Sequence, residues 1–200
     1  MKYIIVSNKS KIFKKYENAI YSLRHQVFKE KLNWKVSSVN NQEIDIYDSL
    51  KKVIYILVVD KNENLIGCMR LLPTTDKYML ESVFTDLLDD FPKDKNIWEI
   101  SRFTIDPILQ KNTSMLCLNI PTLLLLKGLC QFAKQENITS YIAATTATLN
   151  RLVRTVHMDT KVIGKSITID NTKVIALQIF MNEQTFKGID SRLNEENIIY

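Results

Sequence analysis

The chain has 200 residues, 46% of them hydrophobic and 24% charged, enough for one domain with its own core. Its 27 basic residues outnumber the 22 acidic ones, for a formal net charge of +5; this favours an acidic partner, but the basic residues are too scattered for a nucleic-acid groove. The longest uninterrupted apolar run, Val53 to Val59, is far short of the ~20 residues of a bilayer span, and the opening MKYIIVSNKSKIFKK is too charged for a secretory signal, so a cytoplasmic location is expected.

In chain order, Ile20, Leu23, Val27 and Leu32 recur at helical spacing and predict an amphipathic helix over Tyr16 to Trp34. The stretch VSSVNNQEIDIYDSLK has no usable period and reads as a polar, mobile surface loop. KVIYILVV and LIGCMRLLP, separated by the turn DKNEN, predict two strands of a hairpin, the second ended by Pro73. LESVFTDLLDDF reads as a short helix and IWEISRFTID as the next strand. Asn119 is placed to cap a buried helix, IPTLLLLKGLCQFAKQEN, with Pro121 early in it. There follow a strand, SYIAATT, a helix, ATLNRLVRTV, and a closing hairpin, KSITIDNTKVIALQIF, turned at Asn171 and Thr172. With no repeat or linker, residues 1–200 are expected to form a single-domain α/β sandwich of three layers (α/β/α) around a mixed sheet.

Several chemistries find no support. Cys68, Cys117 and Cys130 are odd in number and widely spaced, which reads as reduced core thiols rather than a zinc site or disulfide framework. Two histidines, His25 and His157, are too few for a His-based metal centre and give no Ser-His-Asp pattern. The four glycines form no phosphate-binding cluster. Chemistry without metal or cofactor is expected.

The segment WEISRF sets Glu99 and Arg102 three apart in an otherwise apolar strand. Strict alternation puts them on opposite faces unless a bulge turns one of them round. A buried Glu99 needs a hydrogen-bond partner, a cation or a proton. It reads either as a general base or as half of an internal Glu–Arg pair. Taken singly, Arg24 and Arg70 read as snorkelling surface arginines, Asp45 and Asp48 as turn or capping residues, and Phe28, Trp34 and Phe84 as core aromatics.

Taken together and in order, SLRHQVF, LNW, EIDIYD, GCMRLLPTT, VF and WEISRF resemble the acyl-homoserine-lactone synthases, the LuxI-type autoinducer synthases of quorum sensing. RLLPT and E-x-S-R-F carry the most specific part of the likeness, and it covers Arg24 to Phe103. The C-terminal half matches in layout only, and its RTVHMD departs from the Arg-x-Gly-Trp type segment of many members.

The resemblance implies an acyl-CoA N-acyltransferase-like (GNAT-like) fold and an enzyme that joins two substrates, S-adenosylmethionine and an acyl chain on acyl carrier protein. It implies a binding set for S-adenosylmethionine: Arg24, Phe28, Trp34, Asp45, Asp48, Arg70, Phe84 and Arg102, with Arg24 and Arg102 the candidates for holding its carboxylate, the aspartates facing its cationic groups, and Trp34 and Phe28 closing over it. Glu99 is the first candidate for the base and Asp45 the second, with Ser101 counted among the catalytic candidates as part of the second motif. The N-terminal half would hold S-adenosylmethionine and the C-terminal half an acyl tunnel, with Phe103, Thr145 and Thr146 as pocket residues; the two threonines also read simply as strand residues. Arg151 and Arg154 share a helix face and are the candidates for carrier-protein docking. An N-acetyltransferase is the rival reading, but the connection DPILQKNTSMLCLN has no glycine to cradle a coenzyme A pyrophosphate.

Overall fold

The structure is a computed structural model that describes residues 1–110, 118–169 and 172–195. In chain order it has β1 (Lys2–Ser7), α1 (Lys11–Arg24), a π-helical segment (His25–Lys31), β2 (Ser38–Val39), β3 (Gln42–Glu43), a 3-10 turn (Ile46–Ser49), β4 (Ile54–Val59) and β5 (Leu65–Pro73). There follow α2 (Met79–Val83), β6 (Ile97–Ile105), α3 (Pro107–Gln110), α4 (Ile120–Glu136), β7 (Ser140–Thr146), α5 (Ala147–Arg154), β8 (Thr160–Ile169), β9 (Thr172–Phe180) and α6 (Glu183–Glu195). The described residues gather in two compact units that interleave along the sequence, one from residues 1–71, 102–110 and 118–128, the other from 72–101, 129–169 and 172–195.

In the first unit, β4 pairs antiparallel with β1 and with β5, in register from Lys2↔Val59 and Ile54↔Leu71. The expected hairpin forms because Asp60 closes its turn, its Oδ1 accepting from the amides of Asn62 and Asn64, both at 2.8 Å. The first helix starts at Lys11, not Tyr16: Ser10 caps it by accepting from the Phe13 amide at 3.0 Å, and Phe13, Tyr16, Ile20 and Leu23 form its buried stripe. It widens into the π-helical segment, where the Leu32 amide donates to the Val27 carbonyl at 2.9 Å, and it stops at Asn33, whose φ is 52°.

The expected surface loop is the main correction to the element assignment. Asn40 and Asn41, with φ of 52° and 58°, form the two-residue turn of the β2–β3 hairpin. The polarity of this stretch is inverted: Glu43 and Asp48 are buried, whereas Ile44 and Ile46 face outward. A strand of two residues is too short to show a period, and inward charges erase the usual hydrophobic signal.

In the second unit, β6 pairs parallel with β7 through Trp98↔Tyr141 and Glu99↔Ile142, while β7–β9 and β9–β8 are antiparallel. The sheet is therefore mixed and the class α/β, as expected. Asn119 caps α4 through the Thr122 amide at 3.0 Å. Trp98 meets Phe132 of α4 edge-on, 5.1 Å between ring centroids. The expected helix over 80–91 shrinks to Met79–Val83, and β1, the start of β8 and α6 are elements the pattern reading passed over. Cys68 and Cys130 are buried thiols; Cys117 and the hairpin-turn position Asn171 lie outside the described residues, and Thr172 opens β9. Among the described residues no helix is long and apolar enough to cross a membrane.

Gly164 sits at the bulge of β8, where the register with β9 shifts between Ile163 and Ser166. Its φ is +66°, and a Cβ there would lie 2.1 Å from the Leu87 carbonyl oxygen. Gly164→Ala should therefore lose about 2–4 kcal/mol of stability from backbone strain and overpacking; an unaltered thermal midpoint would contradict this placement.

Candidate active site

The first unit buries a cluster of six ionisable side chains brought together from four stretches. Arg24, at the end of α1, donates from Nε to Glu43 at 2.5 Å and from its two amino groups to both oxygens of Asp48, at 2.7 and 3.0 Å. Arg70, on β5, forks onto Asp45 at 2.5 and 3.0 Å and reaches Asp48 at 2.6 Å. Arg102, on β6, grips Glu43, its nearest contact at 2.8 Å, and lies 2.8 Å from Asp45. The Tyr55 hydroxyl donates to Asp48 at 2.5 Å. Aromatic faces line the cations: Tyr21 under Arg24, Tyr47 under Arg70 and Phe28 under Arg102, all within 5.5 Å of the ring centroid.

Three guanidinium groups against three carboxylates leave no formal charge. That balance is required, because Arg24, Arg70 and the Glu43 side chain are 0% exposed, and an unpaired ion there would cost several kcal/mol. The surface readings of Arg24 and Arg70 are thus overturned. The capping readings of the aspartates are correct but incomplete. Asp45 accepts from the Tyr47 amide at 2.9 Å and Asp48 from the Asp45 amide at 2.8 Å, so the 3-10 turn aims both carboxylates at the arginines. Burial alone would raise the Asp48 pKa, but Arg70 and Arg24 outweigh it and hold the carboxyl well below the ordinary range. Burial first, and then the Asp48 charge, raise the Tyr55 hydroxyl and keep it a donor.

Arg102 is strained. Its φ is 53° inside β6, a conformation that costs a non-glycine residue about 1–3 kcal/mol. The alternation of β6 therefore breaks at this residue, as a bulge would require. Glu43 is the cluster member that sequence reasoning missed. It lies in the quoted EIDIYD, two residues before Asp45 on an extended stretch, so its same-face spacing was the available signal.

Phe28 is buried; Trp34, which stacks on it with centroids 5.1 Å apart, is 43% exposed, so the core reading fails for Trp34. Phe103 is half-buried on β6. In the second unit, Glu99 is 1% exposed and accepts from the amides of Met79, at 2.8 Å, and Leu80, at 2.6 Å, at the start of α2. Phe84 is half-buried at the end of α2, and Ser101 is half-buried on β6. Thr145 pairs with Ile175 in the β7–β9 ladder, while Thr146 caps α5 by accepting from the Leu149 amide at 3.3 Å. Arg151 and Arg154 are exposed on α5.

The family model of the autoinducer synthases matches residues 8–189. Over 176 residues the chain is 39% identical to an acyl-homoserine-lactone synthase of Aliivibrio fischeri, covering 85% of this chain and 89% of that protein. The crystal structure of TofI in a ternary complex with an inhibitor and MTA is similar at a TM-score of 0.80 and 27% identity, covering 95% of this chain and 97% of that one. BjaI, a CoA-dependent acyl-homoserine lactone synthase solved with SAM and isopentyl-CoA, has a TM-score of 0.84 at 20% identity, covering 96% and 89%, a likeness of fold. The protein is thus an acyltransferase with the GNAT-like α/β fold of these enzymes. It belongs to the autoinducer synthase family, the acyl-homoserine-lactone synthases.

The depressed Asp48 pKa fixes a pH dependence. A carboxyl titrating lower folded than unfolded stabilises fully above the unfolded value of about 4, and that contribution drains away as pH falls from there. Asp48→Asn should lose about 3–5 kcal/mol at neutral pH and flatten the decline of stability on acidification. Denaturant unfolding across pH tests this; an undiminished acid slope in the variant would contradict it.

Proposed function

We propose that the enzyme transfers an acyl group from acyl carrier protein to the amino group of S-adenosylmethionine and closes the product to a lactone, releasing methylthioadenosine. The amine nitrogen attacks the thioester carbon: a C–N bond forms, the C–S bond breaks, and the proton lost by nitrogen ends on the departing thiol. The methionine carboxylate then attacks the carbon next to the sulfonium; a C–O bond forms, a C–S bond breaks and methylthioadenosine leaves. No cofactor takes part. The observation that carries the reading is the buried carboxylate–guanidinium cluster, whose two signs match the carboxylate, ammonium and sulfonium of that substrate.

Arg24 has no exposure, so the substrate carboxylate falls to Arg102, whose side chain is 9% exposed while it pairs with Glu43 and Asp45. Asp45 and Asp48 face the cationic end, Arg70 holds them in place, and the stacked pair of Phe28 and Trp34 closes over the substrate. Glu99 is a better proton acceptor than Asp45, because Asp45 lies against Arg70 and Arg102, whereas amides orient Glu99. Thr145 and Thr146, with β7, belong to the acyl site of the second unit, and Arg151 and Arg154 receive the acidic carrier. The reading places the enzyme in the cytoplasm, with no nucleic-acid partner. An acyl-CoA donor, as in BjaI, is the second reading; the glycine-free stretch 106–119 favours the carrier protein.

Given S-adenosylmethionine and a medium-chain acyl carrier protein, the enzyme should release methylthioadenosine and a lactone in equal amounts; consumption of acetyl-CoA alone would overturn the reading. Replacing Arg151 and Arg154 by Glu should lower kcat/KM for the carrier-bound donor by about tenfold or more while sparing any acyl-CoA turnover. Equal loss with both donors would remove these arginines from docking. Glu99→Gln should depress kcat far more than the affinity for S-adenosylmethionine.

A further inference from the structure

Of the RLLPT motif, Arg70 enters the charged cluster, but Thr74 has no part in it. Thr74 is 0% exposed and stands at the neck of the excursion between β5 and β6. Its amide donates to the Ile97 carbonyl at 3.2 Å, and its hydroxyl accepts from the Asp94 amide at 3.1 Å. The single hydroxyl proton faces the carbonyls of Asp94 and Ile97, both at 2.9 Å. One side chain thus joins the two ends of the excursion by both donating and accepting.

Inside that neck the chain is tied again. The Tyr78 hydroxyl donates to the Pro92 carbonyl at 2.8 Å, Lys93 pairs with Glu81 at 2.6 Å, and the Leu87 carbonyl accepts from Lys165 at 2.8 Å. These ties fix α2, whose Met79 and Leu80 amides each meet one oxygen of Glu99. Two donors on two oxygens set the plane of the carboxylate. A five-residue helix has too few internal hydrogen bonds to hold that aim unaided.

We propose that Thr74 is a positioning residue for acyl transfer: by closing the neck of the 75–96 excursion it holds α2 where its amides aim the Glu99 carboxylate at the substrate nitrogen. The inference rests on the reading of Glu99 as the proton acceptor. Thr74 itself touches no reacting atom.

The test compares Thr74→Val, nearly the same shape without the hydroxyl, with Thr74→Ser, which keeps it, in steady-state release of methylthioadenosine below both melting points. Thr74→Val should lower kcat by about tenfold or more with the KM for S-adenosylmethionine within about twofold. Thr74→Ser should restore kcat. Wild-type kcat in Thr74→Val, or a fall confined to KM, overturns the proposal. Should Thr74→Val fail to fold, Tyr78→Phe cuts the second tie of the same excursion and must give the same fall in kcat at unchanged KM; wild-type behaviour there overturns it equally. Glu99→Gln separates the two claims: full turnover in that variant sinks the proton-acceptor reading, whereas an inactive Glu99→Gln beside a normal Thr74→Val sinks only the role of Thr74.

Discussion

Six ionised groups buried against one another must cancel, and the first unit is arranged to make them do so. Arg24 and Arg70 have no exposure, so each depends on carboxylates arriving from elsewhere in the chain. Glu43, Asp45 and Asp48 come from one short stretch, delivered by the Asn40–Asn41 turn and the 3-10 turn. Removing one member leaves the others unpaired in a poorly solvated interior, so the cluster stands or fails nearly as a unit. A hydrophobic filling of equal volume would be no less stable. Its retention in this form therefore points to a requirement for charge.

On the proposed reading, a zwitterionic substrate with a sulfonium supplies that requirement. Arg102 is the member with both the strained backbone and the partial exposure, the combination expected where strain is kept for use rather than for stability. The other two arginines hold the carboxylates still, so on that reading the groups facing the ligand would need little reorganisation when it binds. Preorganised polar groups of this kind contribute more to a charged transition state than flexible ones on the surface.

The sequence made some of this legible and hid the rest for physical reasons. The strand pair β4–β5 and the cap of α4 could be read from β-branched residues, turn residues and Asn119, because each signal is local. The hairpin carrying Glu43 could not: with acids inside and Ile44 and Ile46 outside, its pattern is that of a solvated loop turned inside out. The left-handed backbone at Arg102 was foreseeable only as an alternative, since no residue type there demands it. The tether of Glu99 to the α2 amides joins positions nearly twenty residues apart and belongs to tertiary structure alone.

The claim that the charged cluster recognises the amino-acid end of S-adenosylmethionine is tested most directly by calorimetric titration of Arg102→Met with two ligands. Methylthioadenosine carries the nucleoside but neither carboxylate nor ammonium. The account predicts that the variant loses about thirtyfold or more in affinity for S-adenosylmethionine, the cost of a missing charge-assisted pair, while methylthioadenosine binds as it does to the wild type. Equal losses for the two ligands, or unchanged affinity for S-adenosylmethionine, would contradict it.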